Sequence, residues 1–239
     1  MSSADAPDDR GRRTWALIVP VKPASVGKSR LAVPGVEREA IARAIALDTI
    51  AAAAGANLVA ELIVVTDDAG VREELGRTHP STVHGAAARV TVVADPANGL
   101  NAAIAAGLAT ASARRSAAML GDLPALRPAD LDGALAHAVD PVHLRRSPRF
   151  DRDPPRSAQT NGRALVVADA DGTGTTLLAH AHPELLRFGA DSYARHLAAG
   201  AAPLDVPTSS TLRQDVDTAA HLTAARGLGL GPRTAALLA

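Results

Sequence analysis

No cysteine occurs among the 239 residues. That excludes disulfides, thiolate metal sites and cysteine nucleophiles. Aromatic residues make up only 2% of the chain, while 47% is hydrophobic, so a core of useful size must be aliphatic, built from Ala, Val and Leu. Neither sign of charge is in excess: Lys and Arg number 25, and so do Asp and Glu. A nucleic-acid binder more often carries a basic surplus, so none is expected as a partner, and an anionic ligand must be met by a local cluster of cations. No apolar run is long enough to span a bilayer. The N-terminal MSSADAPDDRGRR lacks the apolar centre of a signal peptide, and a cytoplasmic location is expected. The eight histidines show no H-E-x-x-H spacing, and no G-x-S-x-G elbow is present.

What is present is an alternation of short apolar runs and Ala-rich helical stretches. Strands are expected at 15–21 (WALIVPV), 62–66 (LIVVT), 89–94, 117–120 and 164–168, with helices over 37–54, 69–75, 98–113 and from Pro128 onward. Gly55 is placed to stop the first helix. Further on, 182–199 reads as loop then helix, and a final helix follows 212–218. Continuous apolar strands separated by helices predict an α/β fold with a mostly parallel sheet covered on both faces. One domain over 14–239 accommodates this, after a disordered tail at 1–13. Residues 140–163, rich in Pro and Arg, read as a flexible insertion, or as an Arg-bearing lid over an anionic substrate.

Each strand ends in polar, Gly or Pro residues, and in open α/β sheets ligands bind at that carboxyl edge. Lys22, Lys28 and Arg30 share the loop after the first strand, a charge set suited to a polyphosphate. Gly27-Lys28-Ser29 is not a P-loop, because that motif needs glycine where Lys22 stands. Asp122, in Gly-Asp-Leu-Pro at the end of the fourth strand, is the best candidate for holding a metal. Asp215 and Asp217 are candidates for a second carboxylate; alternation puts both on one face, and an N-cap role for Asp217 remains open. The 172–176 segment, Gly-Thr-Gly-Thr-Thr, offers backbone N–H groups and hydroxyls to a phosphate. In Phe188-Gly-Ala-Asp-Ser192, Gly189 brings backbone close to a ligand, and Ser192 either donates a hydroxyl or caps the next helix. Asn98, Gly99 and Asn101 open a helix whose start could read the edge of a base, with Asn98 as an N-cap the plainer alternative.

Taken in order, V-P-V-K-P with G-K-S-R-L-A, V-V-T-D-D, G-L-N-A-A, G-D-L-P-A-L, D-A-D-G-T-G-T-T-L-L, F-G-x-x-S-x-x-x-H and D-V-D-T resemble one family. It is the 2-phospholactate/phosphoenolpyruvate guanylyltransferases of deazaflavin coenzyme F(420) biosynthesis, and the resemblance runs from about Trp15 to Gly227. It implies a single-domain, Rossmann-like nucleotidyltransferase of the GT-A type, using GTP and Mg²⁺, with a homodimer as the assembly. It further implies that Lys22 and Lys28 touch the triphosphate, that Asp122 with Asp215 and Asp217 holds metal, and that Thr175, Gly189 and Ser192 bind the phosphorylated acid. Asn98, Gly99 and Asn101 would then lie near the guanine. The acceptor is phosphoenolpyruvate or 2-phospholactate. Two departures stand out: 140–163 is longer than in the family pattern, and Asp191 occupies a position where a small residue is usual. The alternatives are a molybdenum-cofactor or sugar-phosphate nucleotidyltransferase, disfavoured by a first loop with Pro23 and little glycine, and a catalytically silent nucleotide-binding protein.

Overall fold

The computed structural model describes residues 13–26, 28, 30–78, 88–139 and 163–239. The expected tail (apart from Arg13) and the expected insertion (apart from Arg163) lie outside the described residues.

Seven strands form one sheet in the order β3-β2-β1-β4-β6-β5-β7. The first, β1 (Trp15–Pro20), is central and pairs in parallel with β2 (Val59–Val65) and β4 (Arg115–Met119); β3 (Arg89–Val93) continues the parallel half beyond β2. On the other side, β6 (Thr175–Ala179) runs antiparallel between β4 and β5 (Leu165–Ala168), and the two-residue β7 (Ala202–Pro203) pairs in parallel with β5. The sheet is therefore mostly parallel, with β6 as the reversed strand.

Alternation along β1 divides the core between the two faces. Trp15, Leu17 and Val19 pack on one face with Ile50 of α1 (Arg38–Ala54) and with Leu131 and Ala134 of α4 (Pro128–His137). Ala16 and Ile18 pack on the other with Ala103 and Ile104 of α3 (Leu100–Thr110). Along β1 and residues 62–65 of β2 both faces are buried, which is why these stretches read as unbroken apolar runs. Among the described residues the remaining α-helices are α2 (Ala69–Thr78), α5 (Ser192–Ala198), α6 (Ala219–Leu228) and α7 (Pro232–Leu237). Among the described residues, no helix is long and apolar enough to cross a membrane.

Three elements differ from the sequence expectation. Gly55 does end α1, but as its C-cap in right-handed conformation (φ −79°) rather than as a left-handed stop. The 172–176 segment is not wholly loop, since Thr175 and Thr176 start β6 and are buried. A last helix, α7, follows the glycine run 227–231; its first-turn N–H groups of Arg233 and Thr234 donate to the buried Asp48 carboxylate at 3.1 and 2.7 Å. Val139 and Arg163 flank the 140–162 segment. Arg163 stands just before Leu165, the β5 end that pairs with Ala179 at the close of β6, and Ala138 accepts from His180 Nε2 nearby. Both flanks thus sit at the amino edge of the parallel strands.

Candidate active site

At the opposite edge a cavity of about 650 Å³ opens where β1, β4 and β5 end and β6 begins. The location follows from topology, because parallel strands and their connecting loops converge there. Lys22, Lys28, Arg30 and Asp122 line it, as do Asp215 and Asp217. So do Thr175, Gly189 and Ser192. The first loop is held in place from below: Asp68, buried after β2, accepts from the Ala24 N–H at 2.9 Å while also accepting from Val71 N–H and from Arg43. Its pKa is lowered; burial opposes ionisation, but these donors outweigh it.

Asp122 leaves the end of β4 just after Gly121. A Cβ on Gly121 would stand 2.9 Å from the Pro20 carbonyl oxygen, so the close passage of these two strand ends needs a residue without a side chain. The carbonyl of Asp122 accepts from Val216 N–H at 3.0 Å, which lays the 215–217 segment alongside β4. Val216 is fully buried, so Asp215 and Asp217 on either side of it both face the cavity. The N-cap of α6 is Thr218, whose hydroxyl accepts from His221 N–H; Asp217 is released from capping.

Lys28 sits at the centre. Its ammonium donates to Asp122 Oδ2 at 2.5 Å and to Asp217 Oδ1 at 3.1 Å, and Arg30 reaches Asp217 Oδ2 at 3.5 Å. Burial works against the Lys28 charge, but Asp122 and Asp217 outweigh it and raise its pKa above the ordinary lysine value. Burial likewise opposes ionisation of Asp217, yet Lys28, Arg30 and His221 hold its pKa low. Asp215 has less relief, since the attraction of Lys28 is outweighed. Burial, then repulsion from Asp122, Asp169 and Asp217, pushes its pKa up to about 7. The site therefore holds more negative charge than Lys28 neutralises.

Among the described residues, no three His, Cys, Asp or Glu side chains already converge as a ready metal cluster. The donor set nevertheless fits a hard divalent cation. Asp122 Oδ1 is buried without a hydrogen-bond partner, and oxygens of this type in a charge-deficient site suit Mg²⁺.

Across the cavity, the β5–β6 hairpin is tied by Asp169, whose carboxylate accepts from Thr173 N–H at 2.9 Å and Gly174 N–H at 2.7 Å. A Cβ on Gly174 would collide with Asp169 Oδ2, so any side chain here would displace the carboxylate that ties the turn. Arg213 donates to the carbonyls of Ala168 and Asp169, at 3.2 and 2.8 Å, and fixes the same hairpin from the other side. Gly189 (φ 126°) and the exposed Asp191 (φ 51°) bracket the turn into α5, where Ser192 is buried. Asp191 lines the cavity and caps no N–H of α5 with its side chain.

The Asn98 turn is arranged differently. Gly99, not Asn98, is the N-cap of α3. Neither Asn98, Gly99 nor Asn101 lines the cavity; its neighbour there is Leu100. The Asn101 amide clasps the Phe188 backbone, accepting from its N–H at 2.9 Å and donating to its carbonyl at 3.1 Å. It supports the turn that carries Gly189.

Several cavity residues escaped the sequence reading. Asp169 ends β5 as Asp122 ends β4, and the same strand-end rule could have found it. His221 accepts from Asp217 N–H at 3.4 Å through Nδ1 and lies 3.5 Å from Asp171 through Nε2, joining the two acidic segments. No local pattern announced that contact.

No family model matches the chain. Two relatives are each named phosphoenolpyruvate guanylyltransferase. That of Salinispora arenicola is 45% identical over 94% of both chains. That of Thermomonospora curvata is 44% identical over 95% of this chain and 89% of its own. Among solved structures, a nucleotidyl transferase from Methanothermobacter thermautotroptrophicus superposes with a TM-score of 0.53 over 90% of this chain and 97% of its own, at 18% identity, a likeness of fold.

Proposed function

Because this chain belongs to the phosphoenolpyruvate guanylyltransferase family, we propose that it transfers GMP from GTP to phosphoenolpyruvate, releasing pyrophosphate, as a step of coenzyme F(420) biosynthesis. The observation that carries the reading is Lys28, held between Asp122 and Asp217 in an open cavity at the carboxyl edge of the sheet. Carboxylates able to hold a divalent cation, set beside lysines that can meet phosphates, form the arrangement that phosphoryl transfer needs, since its demands are positioning and charge neutralisation.

In this reading a phosphate oxygen of the acid attacks the α-phosphorus of GTP in line. One P–O bond forms, the α–β bridge breaks, and its electrons leave with pyrophosphate. No general base is needed, because a phosphate monoester is mostly dianionic at neutral pH. Lys22, Lys28 and Arg30 meet the triphosphate, and Thr175, Gly189 and Ser192 receive the acid. Asn98 and Gly99, exposed beside the mouth of the α3 turn, are left for the guanine, with Asn101 supporting from behind. Mg²⁺ would be held by Asp122 with Asp215, Asp217 or both; when bound, it neutralises charge on the transferring phosphoryl group. The exposed Asp191 is free to face solvent or that ion instead of repelling the acid.

The test is direct. Purified protein is incubated with GTP, Mg²⁺ and either phosphoenolpyruvate or 2-phospholactate, and pyrophosphate release is followed. Release with phosphoenolpyruvate is expected. Silence with both acids, in protein that still binds GTP by calorimetry, would instead identify a nucleotide-binding protein without transfer activity.

A further inference from the structure

His196 is fully buried on α5, yet it is no inert core residue, because both ring nitrogens are engaged. Nε2 stands 3.1 Å from the backbone nitrogen of Arg187. A backbone N–H can only donate, so Nε2 is the unprotonated nitrogen and, in the neutral ring, Nδ1 carries the hydrogen. Burial, reinforced by Arg187 and Arg195, lowers the pKa of His196 to about 4, so the neutral ring is the form present near neutrality. Phe188 packs edge-on against the ring, with centroids 4.9 Å apart, and holds its plane.

Nδ1 lies 3.0 Å from Thr175 Oγ1. With the hydrogen on Nδ1, shared between Thr175 Oγ1 and the Ser192 carbonyl one turn back, the threonine oxygen can only accept from the ring. Its own hydroxyl hydrogen cannot then point at His196 and turns to another direction. Thr175 is placed for this by an irregularity in the sheet: Leu177 pairs with Val167 and Thr175 with Ala168, so β6 carries one extra residue at this point. Such a bulge re-aims a side chain. It brings Thr175 to α5 and the cavity wall, whereas Leu177 packs in the opposite core.

We infer that His196 is a positioning residue for the acid side of the cavity, holding Thr175 so that its hydroxyl donates into the cavity. The inference rests on the reading that a phosphorylated acid binds there. Such an acid is all acceptor: its phosphate and carboxylate oxygens offer lone pairs and no proton. A threonine hydroxyl free to rotate would present a lone pair part of the time. One locked by a donor behind it presents only the hydrogen, and donors fixed before the ligand arrives lose less on binding.

Two conservative variants divide the ring's functions. In His196→Asn the amide nitrogen takes the place of Nδ1 and can still donate to Thr175. In His196→Gln the amide oxygen reaches toward Arg187 N–H, and the donor to Thr175 is lost. His196→Gln is expected to raise the KM for phosphoenolpyruvate roughly tenfold, the scale of one hydrogen bond to a charged group, with the KM for GTP unchanged. His196→Asn should largely rescue it. Thr175→Val should raise that KM at least as much, and adding His196→Gln to it should cost nothing further, because His196 acts through that hydroxyl. Additive losses, or equal rises in both KM values, would show a merely structural role and overturn the inference. A second measurement is independent of activity. In ¹⁵N-histidine spectra of the wild-type protein, the imidazole assigned by its nuclear Overhauser contacts to the Phe188 ring should report a proton on Nδ1, and a proton on Nε2 would overturn the inference even if every variant misfolds. If the wild-type protein transfers GMP to neither acid, the proposed reaction fails, while the spectrum still decides the orientation of Thr175.

Discussion

At the scale of the residue, the proposed chemistry centres on Asp122. One oxygen is held by Lys28, and the other is buried without a partner. Asp122→Asn keeps the shape, removes the charge and places an amide beside an ammonium. If the loss of such a ligand resembles the loss of an oxyanion donor, turnover should fall on the order of 10² or more. Near-normal kcat with Asn at this position would remove Asp122 from the reaction. Asp122 was legible in the sequence because it ends an apolar strand, and a carboxylate there has nowhere to go but the ligand edge. Asn101 was not legible: its partner, the backbone of Phe188, is 87 residues away, and nothing local in G-L-N-A-A distinguishes a loop clasp from a base reader.

At the scale of the element, the β5–β6 hairpin is the joint on which the proposed acid side depends. Its turn is closed by Asp169 accepting two backbone N–H groups, with room for no Cβ at Gly174. Gly174→Ala should therefore lower stability by about 1–3 kcal/mol, the usual cost of overpacking. Because Thr175 follows directly, it should also raise the KM for the acid more than that for GTP. Urea denaturation and steady-state kinetics on one preparation check both, and an unchanged midpoint with unchanged KM values would contradict the packing argument. The parallel strands could be read from apolar runs alone, since burial on both faces leaves that mark. The reversed strand could not be read so easily. Its first residues sit in a Gly-Thr-Gly-Thr-Thr run whose glycines resemble a loop, although the paired β-branched threonines also suit a strand. Helix α7 was hidden in the same way behind the glycines at 227–231, even though Pro232 stands at its first turn.

At the scale of the whole molecule, stability should carry the signature of His196. Its pKa lies at about 4 in the folded protein against an ordinary 6.5. Between those values the unfolded chain binds the extra proton and the folded chain does not. The stability gained by keeping the ring neutral is therefore complete above pH 6.5 and is lost as pH falls toward 4, by at most about 3 kcal/mol. His180, also buried with a lowered pKa, acts in the same direction but is common to wild type and variant. In denaturant titrations, the stability gap between wild type and His196→Asn should narrow from pH 7 to pH 4.5. A gap independent of pH would show that His196 does not titrate differently on folding.

The reversed strand β6 has a further consequence. It places the start of one strand beside the ends of its neighbours, so the cavity gathers at one edge while Val139 and Arg163 emerge at the other. A substitution at Val139 or Arg163 themselves is felt first at the amino edge, a strand's length from the side chains of Lys28 and Asp122.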